Sequence, residues 1–504
     1  MLITEDFLHY VWKFRLFERS VLQTTEGEEL EIYSAGMHNT DSGPDFHNGR
    51  IRIGDTTWAG NIELHINSSD WQKHKHMTDD AYSNVVLHVV YRDDTPLVLT
   101  DGRRIPTLEL KDRIPEDLYL KYHNLVYGEK TIIPCESSIG KLDDFTLRTW
   151  FTRVLIERLE KKSATVIAAL EVNRGDWEET FYQFLAANFG FKTNALPFEL
   201  LARSLPQNIL AKNKNNPLQI EALIFGQAGM LENDLEDEYP NQLKQEHAFL
   251  RKKYNLQPIE KHLWKFMRLR PQNFPTIRLA QFAALVVSSN HLFSKVLDIK
   301  DVKTLGDLFD GIKVNAYWDN RYRFDKESKA SPKNLGAASI NVLLLNTLAV
   351  FLFSYGKHHQ QQYYIDRSLK LLESLPGEQN QIIADFNSVG VKAASAFESQ
   401  ALLELKNYYC NYKKCLQCSV GNKILKLAWS IMLQQLLTFF ERYSFGVCTY
   451  LGERFNISIS KIRLFFIYTS FLSVGFPLIF YFFAGIVLDI RNYVKRGRAG
   501  VSDR

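Results

Sequence analysis

The hydrophobic pattern of this chain switches period twice. Residues 4–18 place Phe7, Leu8, Val11, Trp12 and Phe14 on one stripe of helical period, widened at its end by Leu16 and Phe17. Thr4 is a natural N-cap, and Glu5 and Asp6 lie in the first turn. Near residue 30 the period becomes two. Leu30–Ser34 predicts a strand, and 35–43 a polar loop. Gly43-Pro44-Asp45-Phe46 then leads into Arg50-Ile51-Arg52-Ile53 and Gly60-Asn61-Ile62-Glu63-Leu64-His65-Ile66, two strands joined by a tight turn at Gly54-Asp55. Residues 69–82 predict a short helix capped by Ser68 or Ser69. Residues 85–91 predict a buried β-branched strand, and 97–100 with 104–110 a hairpin around Asp101-Gly102.

From Asp143 to about Asn407 the period is helical. Leu147, Trp150, Phe151, Val154, Leu155 and Leu159 share one face, and further helices are expected at Trp177–Phe189, 198–203 and 220–229. Residues 340–355 are markedly apolar but fall short of the ~20 that a membrane span needs. Asn341 and Asn346 interrupt them, so they read as a buried core helix.

The candidate chemistry sits in the hairpin. Side chains alternate along a strand, so Glu63 and His65 point to one face. The turn at Gly54-Asp55 brings that face back toward Asp45, at the mouth of the preceding strand. Two carboxylates and an imidazole on one spot are raw material for a divalent-metal site. Ionised Asp and Glu beside an apolar core are costly unless something pairs them. A cation would do so; Arg50 or Arg52 would do so equally, making a salt-bridged hairpin. A structural zinc site on the carboxylate–histidine group is a third reading. His74 and His76 stand two apart, which on a helix shares no face, so they read as solvated or touching phosphate. His88 reads as a core histidine with one hydrogen-bond partner.

Pro44-Asp45, a strand and Glu63-x-His65 together resemble the PD-(D/E)XK phosphodiesterase core found in many nucleases. The resemblance implies an α/β fold with a mixed-sheet core. It implies Asp45 and Glu63 as ligands of a catalytic Mg²⁺, His65 as the group that orients or activates water, and a phosphodiester substrate, DNA above all. Histidine stands where that family has lysine, and imidazole is not a fixed positive charge at neutral pH. The predicted order helix, strand, strand pair, helix, strand matches the core arrangement this resemblance implies. The same stretch, with Ser68-Ser69-Asp70-Trp71 and residues 84–91, also resembles a bacterial family catalogued only as a domain of unknown function, out to about residue 425.

Length and charge narrow the picture. A chain of 504 residues has room for several domains, and a net charge of +4 excludes a global polyanion-binding signature. Nucleic-acid contact would need a local patch. One candidate is residues 268–279, where Arg268, Arg270 and Arg278 flank a Pro-bounded turn. They read as a phosphate clamp or as a structural loop paired with the acidic stretch 232–238. The N-terminus lacks the pattern of a signal peptide, and five cysteines do not make a secreted disulfide scaffold. Cys410, Cys415 and Cys418 form C-x4-C-x2-C, with Cys135 as a distant fourth. Four such thiolates suit zinc or an iron–sulfur cluster, in a layout similar to that of some PD-(D/E)XK nucleases. Buried cysteines at a helix start are the plainer reading.

Residues 464–488, bounded by Leu464 and Leu488, carry no charge. As a helix they would measure about 37 Å, enough to cross a bilayer. Lys461 and Arg463 precede them; Arg491, Lys495, Arg496 and Arg498 follow. Phe439-Phe440-Glu441-Arg442, residues 445–455, Ile462-Arg463-Leu464 and the apolar run with Pro477 resemble the phage-shock protein C domain over about 425–496. That resemblance implies a membrane module with envelope-stress regulators as partners. The expected organisation is a nuclease-like core over 1–130, a mostly helical domain over 131–424 ending in the cysteine cluster, the membrane domain over 425–496, and a tail over 497–504. The expected protein is a metal-dependent nuclease tethered to the inner membrane, its large soluble region in the cytoplasm. The alternative is a non-catalytic scaffold of the same fold in envelope-stress signalling or transcription regulation.

Overall fold

The computed structural model describes residues 3–99, 102, 104–128, 131–232, 235–289 and 291–426. The 464–488 run and the stretch resembling phage-shock protein C beyond residue 426 lie outside them. The chain divides into two compact units, one of residues 1–130 and 415–504, the other of residues 131–414.

The first unit is built on a mixed sheet. Helix α1 spans Glu5–Lys13; Thr4 caps it, its Oγ1 accepting from the Phe7 N–H at 3.3 Å. Phe7, Leu8, Val11 and Trp12 are fully buried. The helix stops earlier than the apolar stripe predicts, because Arg15 takes a left-handed conformation (φ 52°). Leu16 and Phe17 still enter the core, but from the following loop, with the Phe17 ring stacked 5.8 Å from that of Trp12.

Strands β1 (Leu30–Ser34), β2 (Met37–His38), β3 (Phe46–Ile53), β4 (Thr56–Asn67), β5 (Val85–Arg92) and β6 (Thr107–Glu109) form the sheet. Its order is β1-β3-β4-β5-β6, with β2 pairing on β3. β3 runs antiparallel to β1, β2 and β4, while β4, β5 and β6 are mutually parallel. The β3–β4 turn is the two-residue hairpin that Gly54-Asp55 predicts: Ile53 pairs with Thr56, and Gly54 adopts φ 54°. Of the expected 97–110 hairpin, the described residues keep an isolated Val98–Arg104 bridge. Its second half instead adds to β5 as the parallel strand β6, and Pro106, which cannot donate, offers its carbonyl to the His88 N–H at 2.9 Å. Between β4 and β5 lies the short helix α2 (Asp70–Lys73), and α3 (Glu116–Tyr127) follows the sheet. Tyr122 of α3 stacks on Phe7 at 4.4 Å, and its hydroxyl lies 2.8 Å from Thr4 Oγ1.

The second unit is mostly helical. Ala337–His358 runs continuously through a π-helical turn at Leu344–Leu348. It is long and apolar enough to cross a membrane, but 61% of its most apolar window is buried within the protein. Its interrupting Asn346 side chain accepts from Lys162 Nζ at 3.0 Å. These are the features of a core helix.

His247, on the helix Glu238–Tyr254, lies flat on Gly226 of the helix Pro217–Gln227. A Cβ at Gly226 would stand 2.1 Å from the imidazole. Burial, with Arg251 nearby, pushes the imidazole down to about 4. The unfolded chain therefore binds more protons between about pH 6.5 and 4. Stability from this group is full above 6.5 and lost as pH falls toward 4. Denaturant titrations over that window are expected to show a shallower acid limb for His247→Gln than for wild type. Parallel limbs would place the acid sensitivity elsewhere.

A histidine and carboxylate site on the central strands

Asp45 immediately precedes β3, and its backbone is tied directly to β4. Its N–H donates to Glu63 Oε2 at 3.0 Å, and its Oδ2 accepts from the Leu64 N–H at 2.9 Å. Glu63 and His65 share a face of β4, and His88 sits level with Glu63 on the parallel strand β5. All three side chains are buried. Ile62 and Leu64, on the other face of β4, fill the hydrophobic core.

Neither arginine of the hairpin reaches this face. Arg52 binds Glu31 at 2.8 and 3.0 Å and the Gly54 carbonyl at 3.1 Å; Arg50 is exposed. The salt-bridged hairpin is thus real for Arg52, but it forms with β1 and leaves Asp45 and Glu63 to other partners.

Those partners are histidines. The helix expected over 69–82 is broken after one turn. α2 ends at Lys73, Lys75 turns left-handed (φ 61°), and His76–Thr78 starts a separate 3-10 turn. This reversal lets two residues that would diverge on a helix face β4 together. His74 Nδ1 lies 3.1 Å from His65 Nε2, and His76 Nε2 lies 3.3 Å from Glu63 Oε1. His65 Nε2 is itself 3.7 Å from Glu63 Oε1. On the rim, His9 Nε2 of α1 lies 3.1 Å from Asp45 Oδ2.

The loop is held from both sides. Ser68 and Ser69 do not cap α2. Instead their hydroxyls bind Asp94 after β5 at 3.0 and 2.9 Å, and Asp70 Oδ2 accepts from the Asn67 N–H at 2.9 Å. Trp71, fully buried, sets its ring edge-on to His65, His76 and His88 at 6.2, 5.4 and 5.2 Å, while Tyr82 stacks on His76 at 3.8 Å.

The electrostatics are those of a site short of positive charge. Burial first, and the nearby Asp45 second, push the Glu63 carboxyl up to about 9. Burial and the surrounding imidazoles push His65 down to about 2; burial, with His76, pushes His88 down to about 3. His9 moves the other way: burial depresses it, but its bond to Asp45 and that carboxylate's charge outweigh burial. His76 Nε2 and His88 Nδ1 are buried without a hydrogen-bond partner.

His65, His74 and His76 present ligand atoms all within 4.8 Å of one another. Glu63 Oε1, outside that group of three, lies 3.3 Å from His76 Nε2 and 3.7 Å from His65 Nε2. An ion bonded at about 2.0–2.1 Å in a tetrahedron holds its ligands about 3.3–3.4 Å apart. Three of the six edges, at 3.1, 3.3 and 3.7 Å, lie near that length; the histidine ligand atoms otherwise lie within 4.8 Å of one another, a looser set that an ion would have to draw together. His65 Nδ1 lies 2.9 Å from His88 Nε2, the outer bond that orients a ligating imidazole. His88 is the singly partnered core histidine that its strand predicts. The short His74-Lys75-His76 tract, ligand types one residue apart, was the sequence signal for the two additional histidines.

None of the described cysteines belongs to this group of ligand atoms. Cys135 and Cys410 are half-buried, and Cys415 and Cys418 are buried; the Cys415 thiol is directed at the Leu125 carbonyl, 4.0 Å away. The boundary between the two units falls between Cys410 and Cys415.

No curated protein and no solved structure matches the chain. A family model described as a protein of unknown function (DUF2851) matches residues 5–381, and the chain belongs to that family.

Proposed function

We propose that the first unit is a metal-dependent phosphodiesterase acting on DNA, with a transition-metal centre on Glu63, His65, His74 and His76. One observation carries the reading: three imidazole donors lie within 4.8 Å of one another, two of them 3.3 and 3.7 Å from a buried glutamate that lacks a fixed countercharge. Three imidazoles and one carboxylate oxygen favour Zn²⁺ or a similar ion over Mg²⁺, which prefers oxygen ligands. The order helix, strand, strand pair, helix, strand, with Asp45 and Glu63 meeting across the pair, supports the likeness to PD-(D/E)XK nucleases.

A bound divalent ion would polarise a phosphoryl oxygen and acidify a water. The chain's own residues divide the remaining work. His65 is buried with both ring nitrogens engaged, so it serves as a ligand and not as the base. Asp45 is part-exposed beside the donor set and is placed to accept the proton of the attacking water. His9, kept cationic longer than a free imidazole by Asp45, supplies at the rim the positive charge that lysine supplies in the resembling nucleases.

Residues 464–488 would tether the protein to the inner membrane, leaving the soluble units in the cytoplasm. A second reading has an observation in its favour. With Glu63 drawn in beside the three imidazoles, the protein itself would fill all four positions of a tetrahedron, as in structural zinc sites, whereas catalytic ones keep a position open. On that reading the unit is a scaffold, with envelope-stress regulators as its partners.

The test is cleavage of plasmid and single-stranded DNA by the full chain loaded with Zn²⁺, Mn²⁺ or Mg²⁺, against Asp45→Asn. Metal-dependent cleavage that falls by about 100-fold or more in Asp45→Asn, with metal retained, supports catalysis. Intact DNA in the presence of folded, metal-loaded wild type selects the scaffold.

A further inference from the structure

Arg278, in the first turn of the helix Pro275–Ser288, is only 6% exposed. It neither faces solvent as a phosphate clamp nor pairs with the described residues of the 232–238 stretch; Arg268 and Arg270 are exposed. A buried guanidinium normally has a carboxylate, because desolvating an unpaired cation is expensive. Arg278 has none among the described residues. Its Nη1 donates to Gln281 Oε1 at 2.9 Å, and its Nη2 to Asn273 Oδ1 at 2.7 Å and Ser339 Oγ at 3.0 Å, all neutral acceptors. Those three bonds use three of five N–H groups. Nε is buried without a partner. One face of the guanidinium is covered by the Phe191 ring at 4.4 Å.

The charge borders an opening. A cavity of about 270 Å³ is lined by Arg278, Asn273 and Ser339, together with Phe191, Thr193 and Ala338. The backbone around it departs from regular helix. Phe191 takes a left-handed conformation (φ 49°), and the helix it begins is kinked at Asn194, whose side chain is spent on both the N–H and the carbonyl of Lys265. A buried positive charge with an amide and a hydroxyl beside it, bordering a solvent-reachable cavity, are the parts of an anion site.

We propose that this cavity binds a small oxyanion, the phosphate or carboxylate group of a small molecule, with the Arg278 guanidinium as its countercharge and Asn273 and Ser339 as its flanking polar groups. The site lies wholly within the second unit and is independent of the metal centre. A ligand here would bridge the segments 190–194, 269–278 and 338–342 and hold them together.

Calorimetric titration of the full chain with inorganic phosphate, and separately with acetate, at constant ionic strength tests this. Saturable binding of at least one anion is expected, at least about tenfold weaker in Arg278→Gln, as loss of a charged hydrogen-bond donor implies. Phosphate alone would identify a phosphorylated ligand, and acetate alone a carboxylate. Because Arg278→Gln could unfold the second unit, Ala338→Phe serves as the second variant: it fills the cavity from an exposed position and leaves Arg278 in place. It should abolish binding with the melting temperature unchanged. Absence of saturable binding to folded wild type, or undiminished binding in Ala338→Phe, overturns the proposal.

Discussion

Glu63→Gln is expected to weaken metal binding by at least about 100-fold, more than the 10–100-fold typical of losing an outer partner, because it removes the one anionic donor. The same change should act in the opposite direction on the metal-free protein. Folding raises the Glu63 carboxyl to about 9, so the folded state holds its proton where the unfolded chain releases it. That contribution to stability is full below the unfolded value near 4.5 and declines as pH rises toward 9. At pH 8 the metal-free wild type therefore carries a penalty that glutamine, neutral and of the same shape, does not. Metal-free Glu63→Gln should melt higher than metal-free wild type at pH 8, and the two should converge near pH 4.5. Competition with a chromophoric chelator measures the first effect and thermal scans of chelated protein the second. A variant that loses metal only because it fails to fold would show both effects downward.

Trp71→Ala is expected to cost about 3–5 kcal/mol, the range for removing a large buried aromatic side chain. Trp71 is fully buried, packs with Val85, Leu97 and Ile105, and touches three of the site histidines by its ring edge. The cavity would open between the hydrophobic cluster and the imidazoles. Metal affinity should therefore fall along with stability, although Trp71 carries no ligand. Trp71→Phe, which keeps part of the ring contact, should recover most of the stability. Urea denaturation gives the first quantity, and chelator competition on the folded fraction gives the second. Full metal affinity in a destabilised Trp71→Ala would show that the α2 loop is positioned by Asp94 and Asp70 alone.

The parts of this fold that could be read in the sequence are those set by local rules. The Gly54-Asp55 turn fixes the register of β3 on β4. Period two then places Glu63 and His65 together, and Asp45 meets them because a hairpin returns the chain to its starting edge. The two remaining histidines depended on something composition does not carry. Ser68-Ser69-Asp70-Trp71 reads as a helix start, and it is one, but a single left-handed residue at Lys75 ends it and turns His74 and His76 the same way. The serines that looked like caps are claimed by Asp94, 26 and 25 positions away. Arg278 was hidden for a related reason. Three arginines around prolines look alike as letters, and only the packing of Phe191, Asn273 and Ser339 shows that one of them points inward.

The measurement that bears most directly on the account is the metal content of the full chain, purified without added metal or chelator, combined with X-ray absorption at the edge of whatever metal is found. The expected result is about one transition-metal ion per chain in a shell of nitrogen and oxygen, lost in Glu63→Gln and in His76→Ala and retained when Cys415 and Cys418 are replaced by serine. A folded chain that neither carries nor takes up such an ion, or one whose ion is surrounded by sulfur, would contradict it.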